Sequence, residues 1–125
     1  MIGKVFTSTT PFYNAATRTN QFKKRPVLII GAADVGDYIV LPVSRVTDRN
    51  NLDPVFDIPI SPVQYPLIAL TCPSYIRVHK QTTVHSASIG QEIGDLRTNY
   101  EEFYLSILVK LEEWNQTVLT NALIA

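Results

Sequence analysis

Three consecutive cations stand directly before an apolar run in FKKRPVLIIG, the stretch from Phe22 to Gly31. Lysines at a strand end are most often solvated surface charges, and the pattern alone favours that interpretation for Lys23 and Lys24. Arg25 differs because Pro26 follows it, and a proline at the first position of a strand fixes the local backbone. A planar guanidinium on a fixed backbone suits bidentate recognition of phosphate. The stretch therefore predicts a phosphate contact at Arg25.

A second candidate is the hydroxyl of Ser44, at the end of the apolar run YIVLPVS. The turn-forming sequence GAADVGD separates this run from VLII, so the two runs are expected to pair as an antiparallel hairpin. Such pairing places the end of the second strand beside the start of the first. A serine at a strand end is more often only a turn former. The hairpin nevertheless predicts that Ser44 faces Arg25.

A third candidate is the pair Arg77 and His79 in PSYIRVHK. Residues two apart share one face of a strand, which leaves Ile76 and Val78 on the opposite face, directed to the core. A surface histidine usually has no chemical role, yet histidine is also the side chain best suited to proton transfer near neutral pH. The pair therefore suits a site in which the arginine holds a phosphate and the imidazole acts on it.

The composition limits the class of protein. A length of 125 residues with 46% hydrophobic content predicts a single domain, 1–125. Eleven Lys and Arg balance eleven Asp and Glu, so any polyanion site must be a local patch. One cysteine, Cys72, no signal peptide and no membrane-spanning run together predict a cytoplasmic protein. No phosphate loop, zinc motif or esterase elbow occurs, so neither a metal nor a cofactor is predicted.

The order of apolar runs predicts a mainly β fold. We expect a short strand over 2–7 and a long mobile loop over 8–21, because the latter is rich in Ser, Thr and Asn. The hairpin follows, and further strands are expected in VFDIPI at a sheet edge, in LIALTC and in SYIRVHKQTTV. These elements predict a small curled sheet or partial barrel of antiparallel strands.

One amphipathic helix is expected to close the domain. Phe103, Ile107, Leu111 and Trp114 recur at helical spacing, and Thr98 or Asn99 can cap the start, with Glu101 or Glu102 completing a capping box. The last residues, TVLTNALIA, are unusually apolar for a terminus. They either extend that helix or cover a partner, and periodicity does not choose between the two.

The order GKVF, KKRPVLIIG, YIVLPVS, PSYIRVHK and IGQEIGDL resembles the MazF/PemK family of toxin endoribonucleases, over roughly residues 3–111. The resemblance implies an SH3-like β-barrel with a C-terminal helix, a two-fold homodimer, and a cognate antitoxin that neutralises the toxin's inhibition of growth. It also implies cleavage of single-stranded mRNA without metal, by attack of the ribose 2′-hydroxyl on its own phosphate.

The resemblance assigns roles to the candidate residues. Arg25 and Arg77 would stabilise charge on the phosphate, and Ser44 would hydrogen-bond to it. Some relatives carry an Asp before the later arginine, where this chain has Ser74 and Tyr75, so His79 becomes the candidate proton acceptor. Aromatic and guanidinium planes bind unpaired bases well. The expected RNA-binding surface comprises Phe12, Tyr13, Arg18, Lys23, Lys24, Arg45 and Ser74.

Two other interpretations use the same barrel. The first is a binding module without nuclease activity, either a gyrase-directed toxin of the CcdB kind or a catalytically silent paralogue. The second is an SH3-like peptide-binding domain, which needs clustered surface aromatics. The aromatic residues of this chain are spread along its length, which disfavours the second interpretation.

Overall fold

The computed structural model describes residues 1–124, except for the side chains of residues 10–12. Its strands and helices alternate with short turns. In chain order they are β1 (Lys4–Asn14), β2 (Thr19–Ala32), β3 (Asp37–Ser44), β4 (Asp57–Ile60), β5 (Ser74–Arg77), β6 (Thr82–His85), β7 (Ile89–Asp95), α1 (Leu96–Asn99) and α2 (Glu101–Ile124).

All strand pairs of the sheet are antiparallel. Their spatial order is β4-β5-β3-β2-β1-β7, with β6 pairing to β3 off this path. β3 divides its length between two partners, because Asp37 to Val40 pair with β6 whereas Val43 and Ser44 pair with β5. This division curls the sheet into a half-barrel. The expected mainly β fold with a C-terminal helix is confirmed.

The expected central hairpin is formed by β2 and β3, in the register Val27 with Pro42 and Leu28 with Leu41. Leu28 lies in the main core, whereas Val27 and Ile29 pack in a second cluster on the other face of the sheet. Both faces of β2 are therefore buried in this part of the strand, which explains why its sequence is apolar at consecutive positions.

The expected mobile loop over 8–21 is wrong, because β1 and β2 continue as a paired arm to Asn14 and Thr19. The Asn14 side-chain oxygen accepts hydrogen bonds from the backbone N–H groups of Ala16 and Thr17 and so stabilises the turn. Arg18 has the positive φ of 54° that this tight turn requires. The threonines of this segment favour strands over turns, because a β-branched side chain fits an extended, paired backbone.

The second difference lies after β4. LIALTC does not form a strand: residues 61–73 run through turns and bends, joined to β7 by one backbone hydrogen bond from Ala69 N–H to the Ile93 carbonyl, 2.8 Å. The expected strand SYIRVHKQTTV is also interrupted, because the chain makes a 3₁₀ turn at Val78–Lys80 between β5 and β6. Apolar content alone cannot separate such buried turns from strands.

The helix α2 packs its apolar stripe on the main core. Tyr104 and Ile107 are buried, and Phe103, Leu111 and Trp114 are half-buried against the same cluster. Its start differs from expectation, because Asp95 caps the separate turn α1 by accepting from Thr98 N–H at 3.0 Å. The apolar tail extends the helix, and residues 115–124 are exposed. No helix in residues 1–124 is long and apolar enough to cross a membrane.

Candidate functional site

A cleft of about 530 Å³ opens where β2 enters the half-barrel. Its walls come from the middle of β2, the end of β3 with the residue after it, the turn region before β5, and one residue each from β1, β5 and β7. The lining residues are Thr7, Lys23, Lys24, Arg25, Pro26, Val43, Ser44, Arg45, Ala69, Leu70, Thr71, Cys72, Ser74 and Ile93.

The cleft concentrates positive charge on a chain with no net charge. Lys23, Lys24, Arg25 and Arg45 line it and are exposed, and none of its lining residues is acidic. Within the described residues, the Arg25 guanidinium has no ion-pair partner in the protein. A cation without an internal partner remains available to an anionic ligand.

The hairpin brings Ser44 into the same cleft as Arg25, the juxtaposition that antiparallel pairing predicts. Ser44 is half-buried, and its strand is held from the far side by pairing with Tyr75. Ser74 is buried at the cleft wall, where its hydroxyl donates to the Cys72 carbonyl oxygen at 3.1 Å. Ser74 therefore supports the wall.

A close backbone contact holds the opposite wall in place. A Cβ atom at Gly94 would lie 2.4 Å from Ile68 Cδ1 and 2.9 Å from Ile68 Cα, which is too close for any side chain. Ile68 is fully buried immediately before Ala69, where the cleft wall begins. Glycine at position 94 thus lets the turn region approach β7 and close the cleft.

The structure does not bring Arg77 to the cleft. Its Nε donates to Asp57 Oδ1 at 3.0 Å, and its Nη2 donates to the Asn51 carbonyl oxygen at 2.9 Å. Asp57 belongs to the neighbouring strand, and its side chain is only 1% exposed. The ion pair with this buried carboxylate fixes the guanidinium, so the expected convergence of Arg25 and Arg77 on one phosphodiester is not seen.

His79 lies beside the same Asp57–Arg77 ion pair, and its side chain is only 12% exposed. Its Nδ1 is 3.8 Å from Asp57 Oδ1, is buried and has no hydrogen-bond partner. The ring meets Trp114 of α2 edge-on, with centroids 5.9 Å apart. The expectation of an outward imidazole is wrong because Asp57 and Trp114 cover the side on which Arg77 and His79 lie, although the strand alternation itself holds.

The remaining RNA-binding candidates lie on the β1–β2 arm. Tyr13 and Arg18 are exposed near its tip, and the Phe12 side chain is outside the described residues. Sequence reasoning missed Phe22, an aromatic ring 71% exposed beside Lys23. It also missed Asp57. The usable signal for Phe22 was an aromatic residue next to three cations, whereas the alternation of VFDIPI places Asp57 opposite the apolar face and gives no signal for its burial.

Together these features define a small antiparallel half-barrel with a long C-terminal helix and a cationic cleft at the exposed end of its central hairpin. The chain belongs to the PemK-like, MazF-like toxins of type II toxin–antitoxin systems, because the model of that family matches residues 4–102.

A solved structure shows the same fold. The Mycobacterium tuberculosis toxin MazF-mt6 is similar to this chain with a TM-score of 0.54 and 21% sequence identity, over 89% of this chain and 90% of that one. Comparison with curated protein sequences gives no significant match.

Proposed function

We propose that this toxin is an endoribonuclease that cleaves single-stranded mRNA by attack of the ribose 2′-hydroxyl on the adjacent phosphate. The products are a cyclic phosphate and a 5′-hydroxyl. One observation carries the proposal: Arg25, without an internal partner, and Ser44 line one cationic cleft on a fold of this toxin family. The site of action is the cytoplasm, where mRNA is translated.

The cleft suits the charge that this reaction develops. In-line attack accumulates negative charge on the non-bridging phosphate oxygens, and the Arg25 guanidinium can donate two hydrogen bonds to them. The Ser44 hydroxyl donates a third and fixes the phosphate. Lys23, Lys24 and Arg45 then bind the neighbouring phosphates of the strand. No step in this scheme requires a metal.

The cleft lining contains no carboxylate and no imidazole. We therefore assign catalysis to charge stabilisation and alignment, with solvent taking the proton of the 2′-hydroxyl and donating one to the 5′-oxygen as its bond to phosphorus breaks. The pH dependence of the rate should then be the same in wild type and in His79→Gln. A pH dependence that changes in His79→Gln would show that His79 is the proton acceptor.

The same cleft is the proposed site of control. A disordered acidic segment of a cognate antitoxin would complement its four cations and exclude RNA. We propose a homodimer as the active form, by likeness to the family. Competition between RNA and an acidic peptide for the wild-type cleft, weakened in Lys24→Gln, would test the antitoxin site.

The function is tested by incubating purified protein with varied single-stranded RNAs in EDTA and mapping the product ends. Wild type should give discrete cuts with cyclic phosphate termini, Arg25→Ala should give almost none, and Ser44→Ala should be impaired. Arg97→Ala is the matched control, because Arg97 is exposed and does not line the cleft. Cleavage that requires added metal, or that survives in Arg25→Ala, would contradict the proposal.

The lack of a proton acceptor in the cleft lining also favours a second function, that of a binding module. A cleft that binds phosphates but lacks an acid–base group also fits a binding module without nuclease activity. In that case wild type binds single-stranded RNA or another polyanion through the same cations and cuts none of the RNAs tested. Growth inhibition by a protein with that behaviour would identify the binding module.

A further inference from the structure

The segment between β3 and β4, residues 45–56, connects the cleft to the Asp57–Arg77 ion pair. Its first residue, Arg45, lines the cleft. Its last residues lie beside Asp57, the first residue of β4. One connecting segment therefore joins the exposed cation of the cleft to a buried charge cluster.

The far end of the segment is held by hydrogen bonds to that cluster. The Asp53 N–H donates to Asp57 Oδ2 at 2.8 Å, and the Asn51 carbonyl oxygen accepts from Arg77 Nη2 at 2.9 Å. The same guanidinium also donates through Nε to Asp57 Oδ1. The planar fork of Arg77 thus bridges β4 and the segment, which a single ammonium group cannot reproduce.

The near end is held by the sheet. Ser44, directly before Arg45, pairs with Tyr75 of β5. Between the two ends, Asp48 closes a short turn by accepting from Asn50 N–H at 2.9 Å. The chain is thus held on both sides of Arg45: at Ser44 by strand pairing, and at Asn51 by the hydrogen bond from Arg77. Holding the backbone that carries a cation in place before the ligand arrives reduces the entropy lost on binding.

We propose that Arg77 and Asp57 are positioning residues, which anchor the 45–56 segment and thereby hold Arg45 in the cleft. Arg77 then acts without touching the substrate. The proposal rests on the proposed function only in taking single-stranded RNA as the ligand of the cleft. The anchor itself is a property of the fold.

Arg77→Lys tests the anchor, because lysine keeps the charge next to Asp57 but loses the fork that reaches Asn51. The probe is a short single-stranded RNA with 2′-O-methyl groups, which binds but cannot be cleaved by 2′-hydroxyl attack. Its dissociation constant should rise about tenfold, as for the loss of one charge-assisted hydrogen bond. Arg45→Ala should give a similar rise, and Arg77→Lys in the Arg45→Ala background should add almost nothing.

Hydrogen exchange supplies a readout that does not depend on RNA. The amides of residues 50–56 should exchange faster in Arg77→Lys, whereas those of β3 should not change. Arg97→Lys makes the same chemical change outside the cleft and the segment, and should alter neither binding nor exchange. If Arg77→Lys does not fold, Asp57→Asn/Arg77→Gln removes both charges and leaves no unpaired buried ion.

Two results would overturn the proposal. Additive effects of the Arg77 and Arg45 substitutions on binding would mean that Arg77 contacts the RNA directly. Unchanged exchange at residues 50–56 would mean that no anchor exists. If wild type binds no RNA, the proposed function and the role of Arg45 fail together, while the exchange measurement still decides on the anchor.

Discussion

Arg25 and Arg77 are both arginines at strand positions of one half-barrel, but their surroundings differ. Arg25 is exposed in a cleft without acidic lining, and no ion pair neutralises it in the described part of the chain. Arg77 is held by a carboxylate that is almost completely buried. Binding of phosphate at Arg77 would compete with Asp57 and leave that acid unpaired, whereas binding at Arg25 displaces only water.

The comparison shows that an arginine indicates an anion-binding site only when no acid of the same chain already pairs with it. Sequence spacing made the two residues equivalent candidates. The difference comes from Asp57, which lies 20 positions before Arg77 and becomes its neighbour through the pairing of β4 with β5. A substitution at Arg77 should therefore mainly lower the stability of the fold. A substitution at Arg25 should mainly weaken binding and reaction of the ligand.

The largest expected effect is on stability. Arg77→Ala should lower the free energy of unfolding by about 3 kcal/mol, because it leaves the buried Asp57 carboxylate without its partner. Arg25→Ala should change it by less than about 0.5 kcal/mol, as for an exposed residue. Urea denaturation of both variants measures the difference. Equal stabilities would remove the distinction between the two arginines.

The next effect is on the reaction. Arg25→Ala should reduce kcat by a factor on the order of 100 to 1,000, the cost of losing one donor to the charged transition state. Arg77→Lys should leave kcat close to that of wild type. Single-turnover cleavage of a defined RNA separates kcat from binding. A larger loss in Arg77→Lys than in Arg25→Ala would reverse the roles of the two arginines.

A smaller effect is expected in the salt dependence of RNA binding. Each phosphate contact to single-stranded nucleic acid contributes a slope of about −0.7 to log K against log salt concentration. Lys24→Gln should therefore make the slope shallower by about 0.7. Lys80→Gln, at an exposed position outside the cleft, should leave it unchanged. Fluorescence anisotropy at several salt concentrations measures both slopes.

The smallest effect concerns acid stability near the ion pair. Hydrogen bonds from the backbone N–H groups of Phe56 and Val55 hold the pKa of the Asp53 carboxyl below its ordinary value. Its contribution to stability is thus present above that ordinary value and is lost as the pH falls through the lowered one. Asp53→Asn should flatten the fall in unfolding free energy below about pH 4, the ordinary pKa range of an aspartate. An unchanged pH profile would contradict this assignment.

The hairpin and part of the site were predictable because local rules decide them. VLII and YIVLPV flank a turn-forming stretch, so their pairing, and with it the placement of Arg25 and Ser44 in one cleft, follows from antiparallel geometry. The helical stripe ending at Trp114 was predictable from its period.

The rest depends on contacts distant in sequence. LIALTC has strand composition, but its single backbone hydrogen bond to β7 is not enough for a ladder. The arm over β1 and β2 forms because its two halves pair with each other, which outweighs the turn preference of Ser and Asn. The positions of Arg77 and His79 required knowledge of Asp57 and Trp114, which cover the side of the chain that the two residues share.

The registration of β2 has a consequence for insertions and deletions. Within one strand, the exposed Arg25 stands two residues before a stretch that is buried on both faces. Adding one residue between Arg25 and Val27 would either turn Arg25 to the opposite side of the sheet or shift Leu28 out of the interior. Lengthening the turn at residues 15–18 imposes no such choice. Length variation should therefore be tolerated at the arm's tip and rejected at its base.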